Sequence, residues 1–253
     1  MLFDTHAHYY DLKFDGEREK ILDSMIENGV GYIINAGCDV KSTIQSIELS
    51  EKYDFVYASA GVHPNNDESF TEETFSKIKE LAQHEKVLAI GEIGLDYHYG
   101  GNREKQKEAF SYQINMAKEL KLPFVVHCRD ATGDCIDILK AEYKGGGGVM
   151  HCFSESKETA RIVLDMGLYV SIGGTVTFKN NVRTVEAVKY IPLESLVIET
   201  DAPYLSPVPH RGERNSSLYL HYVAKKIAQI KDIPTEEVIN ITTKNAKELF
   251  GIA

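Results

Sequence analysis

Near the start of the chain, Asp4-Thr5-His6-Ala7-His8 sets two histidines one residue apart. Leu2 and Phe3 lead into them as a short buried strand, and on a strand alternate side chains share a face. His6 and His8 therefore point the same way, with Cα atoms about 7 Å apart. Two imidazoles so placed can converge on one cation, because imidazole is the commonest protein metal ligand. A lone His-x-His is weak evidence, since paired histidines also occur on surfaces by chance. Its weight comes from other strands that end in the same kinds of residue: His63, Glu92, His127, His151 and Asp201.

The elements that must position these residues read as short apolar strands alternating with amphipathic helices, the pattern of a parallel sheet. Strands are expected at Leu2 onward and over 32–36, 56–62, 87–93, 124–127, 149–151, 168–172 and 196–201. Helices are expected from about Glu17 to Asn28-Gly29, where glycine is a natural stop, and over 43–52, 71–84, 104–120, 134–143, 218–230 and 235–250. Thr71 can cap the third of these. With no linker, repeat or composition break, the pattern predicts one (β/α)8 TIM barrel spanning 1–253 as a single domain. In a barrel the C-terminal strand ends meet at one face, so five of the nine histidines and two carboxylates would gather there. His84 and His221 fall on helices instead, as ordinary surface residues. The run Gly145-Gly146-Gly147-Gly148 could cradle a phosphate, but no helix N-terminus follows it, which favours a loose connector.

Composition sets outer limits. With 43% hydrophobic and 26% charged residues, the chain has the make-up of a soluble domain with a large core. No apolar run of about 18 residues is present, and the chain opens directly on a strand, so neither a membrane span nor a signal peptide is expected. The expected location is cytoplasmic, with no membrane association and no obligate protein partner. Cys38, Cys128, Cys135 and Cys152 lack CxxC spacing and read as reduced, buried thiols in apolar surroundings. Cys128 and Cys152 each follow a strand-end histidine, so alternation should turn them toward the helix layer. A net charge of −10 argues against broad affinity for nucleic acid, although bound divalent cations would add local positive charge.

A mixed histidine and carboxylate donor set suits Zn²⁺ or Mn²⁺, and Mg²⁺ less well. The six candidate metal ligands, His6, His8, Glu92, His127, His151 and Asp201, exceed the three protein ligands that a single catalytic zinc keeps. Two divalent cations about 3.5–4 Å apart are expected, activating a water. Glu92 is the natural bridge, and Asp201 the natural ligand and proton acceptor for that water, which makes these two the candidate catalytic residues. Arg129, Lys179, Arg211 and Arg214 follow strands on loops and could hold substrate phosphate. For Lys179 and Arg214 a solvated loop charge is an equal alternative. Tyr97, Tyr99 and Tyr204 could stack on bases or simply pack.

Asp4-Thr5-His6-Ala7-His8, Gly61-Val62-His63-Pro64, Gly91-Glu92-Ile93-Gly94-Leu95-Asp96-Tyr97, His127-Cys128-Arg129, His151-Cys152-Phe153-Ser154 and Glu199-Thr200-Asp201-Ala202-Pro203-Tyr204-Leu205 together resemble the TatD family of metal-dependent hydrolases. The resemblance runs nearly end to end with the motifs in order. It implies a TIM-barrel metallo-hydrolase, with magnesium- or manganese-assisted deoxyribonucleases among its members. By the same resemblance His6, His8, Glu92 and Asp201 would hold one metal, and Glu92, His127 and His151 the other. His63 would face substrate phosphate or a third metal. Glu155, Glu213 and Asn215-Ser216-Ser217 depart from the family pattern and add acid near the expected pocket rim.

Three functions compete at this point. The first is a phosphodiesterase, in particular a deoxyribonuclease of the 3'-5' exonuclease type acting on DNA or another phosphodiester. The second is a metal-dependent ester or amide hydrolase, such as an aminoacyl-tRNA deacylase or a small-molecule hydrolase. The third, a noncatalytic metal-binding scaffold, fits poorly with a complete ligand set that includes Asp201. Other barrel amidohydrolases bridge their metals with a modified lysine on the fourth strand. Glu92 stands at that position here and needs no modification.

Overall fold

The computed structural model describes residues 1–253 apart from the side chain of Asp67. Its strands are β1 (Leu2–Ala7), β2 (Val30–Asn35), β3 (Val56–Ala60), β4 (Val87–Asp96), β5 (Phe124–Arg129), β6 (Gly148–Met150), β7 (Tyr169–Ile172) and β8 (Leu196–Ile198). They form one eight-stranded sheet in sequence order. Just past β8, Ala202 bridges Ala7 of β1 in parallel, with the His8 N–H donating to Ala202 O at 2.7 Å. The last strand thus returns to the first, in the order of the expected (β/α)8 TIM barrel.

The helices are α1 (Arg18–Asp23), α2 (Val40–Lys52), α3 (Glu72–Leu81), α4 (Arg103–Leu120), α5 (Thr132–Glu142), α6 (Lys157–Asp165), α7 (Val182–Tyr190), α8 (Leu220–Lys231) and α9 (Thr235–Phe250). None of the described helices is long and apolar enough to cross a membrane. Thr71 caps α3 as expected, accepting the Thr74 N–H. Several bounds differ from the sequence expectation. α2 starts three residues earlier, because Asp39 and Ser42 form a capping box. α1 stops at Asp23, and turns rather than helix carry the chain to Gly29. β4 runs three residues further, to Asp96, whereas β8 stops at Ile198 and leaves Glu199–Asp201 beyond it. Two helices that the sequence pattern had not placed, α6 and α7, start at Ser156 and Asn181 caps.

The chain packs as two compact units, one of Met1–Asn35 with Cys152–Ala253 and one of Ala36–His151. In the first, β1 is buried along all six residues. Phe3 stacks on Tyr32 and meets Phe250 in a tilted pair, with centroids 5.2 and 5.8 Å away. A fully buried strand cannot leave polar side chains without partners. Thr5 accordingly donates to Ile198 O at 3.1 Å and meets Ser171 Oγ at 3.2 Å.

In the second unit the core is built from Ala58, Ala60, Ile90, Ile93, Val125 and Val126, backed by Ile78, Phe110 and Ile114. α4 also turns two buried glutamines inward, seven residues apart and so on one face. Gln113 accepts the Val62 N–H (2.7 Å) and donates to Val62 O (3.1 Å). Gln106 does the same for Asp96, at 2.9 and 3.0 Å. Both clamps act at strand ends, where a side-chain amide stands in for a missing neighbouring strand.

Replacing Gln113 by Leu keeps the volume but leaves the buried Val62 N–H and C=O without this partner, at about 1–3 kcal/mol per group. The expected result is a melting temperature lower by several degrees, given about 2–4 °C per kcal/mol for a chain of this size. Thermal unfolding followed by circular dichroism checks it, and a variant melting with the parent would show that the clamp is dispensable.

Candidate metal centre and active-site residues

In the unit that carries β1 and β8, the His6 and His8 Nε2 atoms lie 3.1 Å apart. The Asp201 Oδ1 is 3.2 Å from His8 Nε2 and 3.9 Å from His6 Nε2. The strand alternation read from the sequence thus brings both imidazoles to one carboxylate. His8 is further fixed by Tyr10, whose hydroxyl is 3.0 Å from Nδ1. Asp201 itself has φ 58°, a left-handed backbone that a non-glycine residue adopts only when its surroundings impose it. The surroundings do so on both sides. Its N–H donates to His6 O at 2.9 Å, and its carbonyl accepts the Tyr204 N–H at 2.8 Å. Asn215 donates to both Thr200 O and Tyr204 O, holding the loop across Asp201.

Beneath this group Asp4 gathers a network. Its carboxylate accepts from the Thr200 N–H (2.9 Å), the Thr200 hydroxyl (2.5 Å), the Ser217 hydroxyl (2.6 Å) and the His6 N–H (3.3 Å). Burial nevertheless pushes the Asp4 carboxyl up to about 7, outweighing the hydrogen bonds from Ser217, Thr200 and His6.

In the unit Ala36–His151, Glu92 is the centre. Its Oε1 lies 2.7 Å from His127 Nδ1, 2.9 Å from His151 Nε2 and 3.5 Å from His63 Nε2. His63, Glu92 and His127 place their ligand atoms close enough together to hold one cation. Burial lowers the His63 pKa against the pull of Glu92. Burial also opposes protonation of His127, but the Asp96 and Glu92 carboxylates prevail and raise it to about 9.

The placement of His127 follows from sheet register. Gly94 of β4 stands opposite His127 of β5, so Glu92 and Asp96, two residues to either side, flank the imidazole. Asp96 Oδ2 is 3.2 Å from Nε2, opposite Glu92 on Nδ1. Gly94 has φ 141°, and a Cβ there would strike the His127 carbonyl, so only glycine suits this position. Sequence reasoning assigned Asp96 no role because it ended the strand at Ile93. Alternation carried on from Glu92 through Gly94 would have found it. Two further buried or half-buried groups were also missed: Glu199, which accepts the Cys152 N–H at 2.7 Å, and Cys38, whose thiol lies 3.6 Å from Glu92 Oε2.

The expectation of buried thiols needs correction. Only Cys135 is buried, while Cys38, Cys128 and Cys152 are half-buried, and Cys38 faces a carboxylate rather than apolar side chains. No disulfide occurs among the described residues.

The candidate phosphate-binding groups separate into two kinds. Arg129 is exposed and rests on Tyr99, with Nη1 3.2 Å from the phenol oxygen, and exposed Arg211 lies 4.3 Å over the Phe178 ring. Both guanidiniums keep donors available to a ligand. Arg214 instead donates to Lys13 O and Glu17 at 2.7 and 2.6 Å, which makes it a structural clamp. Lys179 is a plain exposed charge. Tyr97 is tied to Asp134 at 2.6 Å, whereas Tyr204 stays 42% exposed with its hydroxyl on Asp11.

Imidazole nitrogens paired with carboxylate oxygens at 2.7–3.9 Å form a borderline donor set, which fits first-row divalent ions.

The Asp4 geometry gives a pH prediction. A carboxyl held near 7 in the folded chain and near 3.8 when unfolded favours folding fully below about pH 4, and that contribution is lost as pH rises through 7. Asp4→Asn removes it. In the presence of a chelator, the variant's unfolding free energy should fall less between pH 4.5 and 7.5 than the parent's. Equal slopes from urea titrations at the two pH values would contradict the assignment.

Residues 3–251 match the family model for TatD related DNase. The chain is 48% identical over 254 residues to a Bacillus subtilis protein named uncharacterized metal-dependent hydrolase YabD, covering all of both chains. It is 32% identical over 260 residues to a Citrobacter koseri protein named 3'-5' ssDNA/RNA exonuclease TatD, again covering all of both. Among solved structures, the Escherichia coli TatD homologue YjjV superposes with a TM-score of 0.93 at 28% identity, covering 100% of this chain and 98% of that one. With the strand order, the clustered histidines and carboxylates and these likenesses together, the chain belongs to the TatD family of TIM-barrel, metal-dependent hydrolases.

Proposed function

We propose that the chain is a deoxyribonuclease of the 3'-5' exonuclease type that works with two divalent cations. The observation that carries this reading is the Glu92 carboxylate, buried and approached by three imidazole nitrogens within 3.5 Å. By the family resemblance His6, His8, Glu92 and Asp201 would hold one ion, and Glu92, His127 and His151 would hold the other. Mg²⁺, Mn²⁺ and Zn²⁺ are the candidates. Bound ions of this kind activate water and offset charge that builds on phosphoryl oxygens.

The chain's own residues supply the rest. Asp201 takes the proton from the attacking water, as a carboxylate within reach of two imidazoles can. Arg129 and Arg211 grip the phosphate as bidentate donors, and His63 faces it from beside Glu92. DNA is the proposed substrate, on the strength of the family and of the exonuclease-named relative. The proposed location is the cytoplasm, in keeping with four cysteines and no disulfide among the described residues.

The test is hydrolysis of end-labelled single-stranded DNA with Mg²⁺, with Mn²⁺ and with chelator. Stepwise shortening that needs metal is expected, falling about 10²–10⁴-fold in Asp201→Asn and lost in Glu92→Ala. Intact DNA beside metal-dependent turnover of a simple ester or an aminoacyl-tRNA would overturn the substrate and keep the hydrolase.

A further inference from the structure

The His127 imidazole lies between two carboxylates. Glu92 Oε1 is 2.7 Å from Nδ1, and Asp96 Oδ2 is 3.2 Å from Nε2. An imidazole that ligates a metal has given up one proton and carries a single N–H, so one nitrogen can donate while the other offers its lone pair to the ion. We infer that Asp96 is a positioning residue for the metal centre: it holds the His127 proton on Nε2 and so keeps the Nδ1 lone pair aimed at the ion beside Glu92. This rests on the proposal that His127 ligates a metal.

Three observations favour Asp96 for this role. It is 1% exposed, so its charge is not spent on solvent. Each of its oxygens also accepts from another donor, Oδ1 from the His98 N–H at 2.9 Å and Oδ2 from the Asn65 amide at 3.0 Å, which fixes the carboxylate plane. Its backbone is clamped on both sides by Gln106. A carboxylate so held keeps Oδ2 in place to accept from Nε2, 3.2 Å away. Metal-ligating histidines commonly donate their second nitrogen to such a group, which fixes the tautomer and raises ligand basicity. Glu92 cannot do this itself, because it faces the ligating nitrogen.

Asp96→Asn separates this role from a structural one. The variant is isosteric, and its amide oxygen can still accept the His98 N–H. The amide NH₂ then faces Nε2 and demands a lone pair there. The imidazole proton moves to Nδ1, where it donates to Glu92 and no longer leaves a nitrogen for the ion.

The experiment titrates Mn²⁺ into metal-free parent and Asp96→Asn, with the melting temperature of both metal-free forms measured in parallel. The parent should take up two ions. The variant should lose about 10–100-fold in affinity for one of them, keep the other, and melt within a few degrees of the parent. Equal affinities at both ions would overturn the role of Asp96. A parent that binds no ion would overturn the metal assignment itself, so the two failures are distinguishable. A second measurement needs no variant. In the Zn²⁺-loaded parent, ¹⁵N–¹H correlation of the imidazoles should place the His127 proton on Nε2, and a proton on Nδ1 would sink the inference even if the variant failed to fold.

Discussion

A carboxylate shut away from water is stable only when something of opposite sign or a set of donors surrounds it. Glu92 is such a group, 3% exposed, and its neighbours are imidazoles rather than arginines or lysines. Imidazole is a partial answer to a buried negative charge. It can donate or carry a proton, and it releases that proton to solvent when a metal cation takes the nitrogen lone pair. A guanidinium would neutralise Glu92 permanently and leave nothing for a metal to do. The choice of histidine keeps the carboxylate in place and leaves its charge to be matched by a cation.

Backbone geometry delivers these side chains, and it does so where the sheet ladder stops. His63 follows Val62, which Gln113 clamps; Asp96 is clamped by Gln106; Asp201 follows Thr200, whose N–H and hydroxyl both donate to Asp4. In each case a candidate site residue stands on or next to one whose backbone is held by a buried side chain. The arrangement has a physical reason. Strand ends carry backbone donors and acceptors with no neighbour, and leaving them unpaired in the core would cost more than one such side chain supplies. The same side chains that satisfy the strand ends also hold the functional residues still, as a preorganised site requires.

Much of this was legible in the sequence. Alternation put His6 and His8 on one side, apolar runs marked the eight strands, and the repeated histidine or acid at strand ends marked the candidate site. What escaped had identifiable causes. Asp96 was lost because glycine at 94 looks like a strand breaker, although here it is what lets β4 pass close to His127. The two glutamines of α4 were invisible because a buried amide and an exposed one are the same letter. α6 and α7 follow loops and are short, nine residues each, so their period is hard to see. Arg214 read equally as a phosphate ligand or a solvated loop charge, and its contacts with Lys13 and Glu17 show a clamp instead.

The overall charge also bears on the proposed chemistry. A chain with net charge −10 repels a polyanion at long range, so nonspecific affinity for DNA should be weak and sensitive to salt. Within the proposed ligand set the only anions are Glu92 and Asp201, and two divalent ions more than offset them. Bound ions would therefore add positive charge at the proposed ligand set, beside that of Arg129 and Arg211, and part of the substrate attraction would be conditional on metal. Arg129 and Arg211 reinforce the same logic, since each rests on an aromatic ring with its charge held at one place.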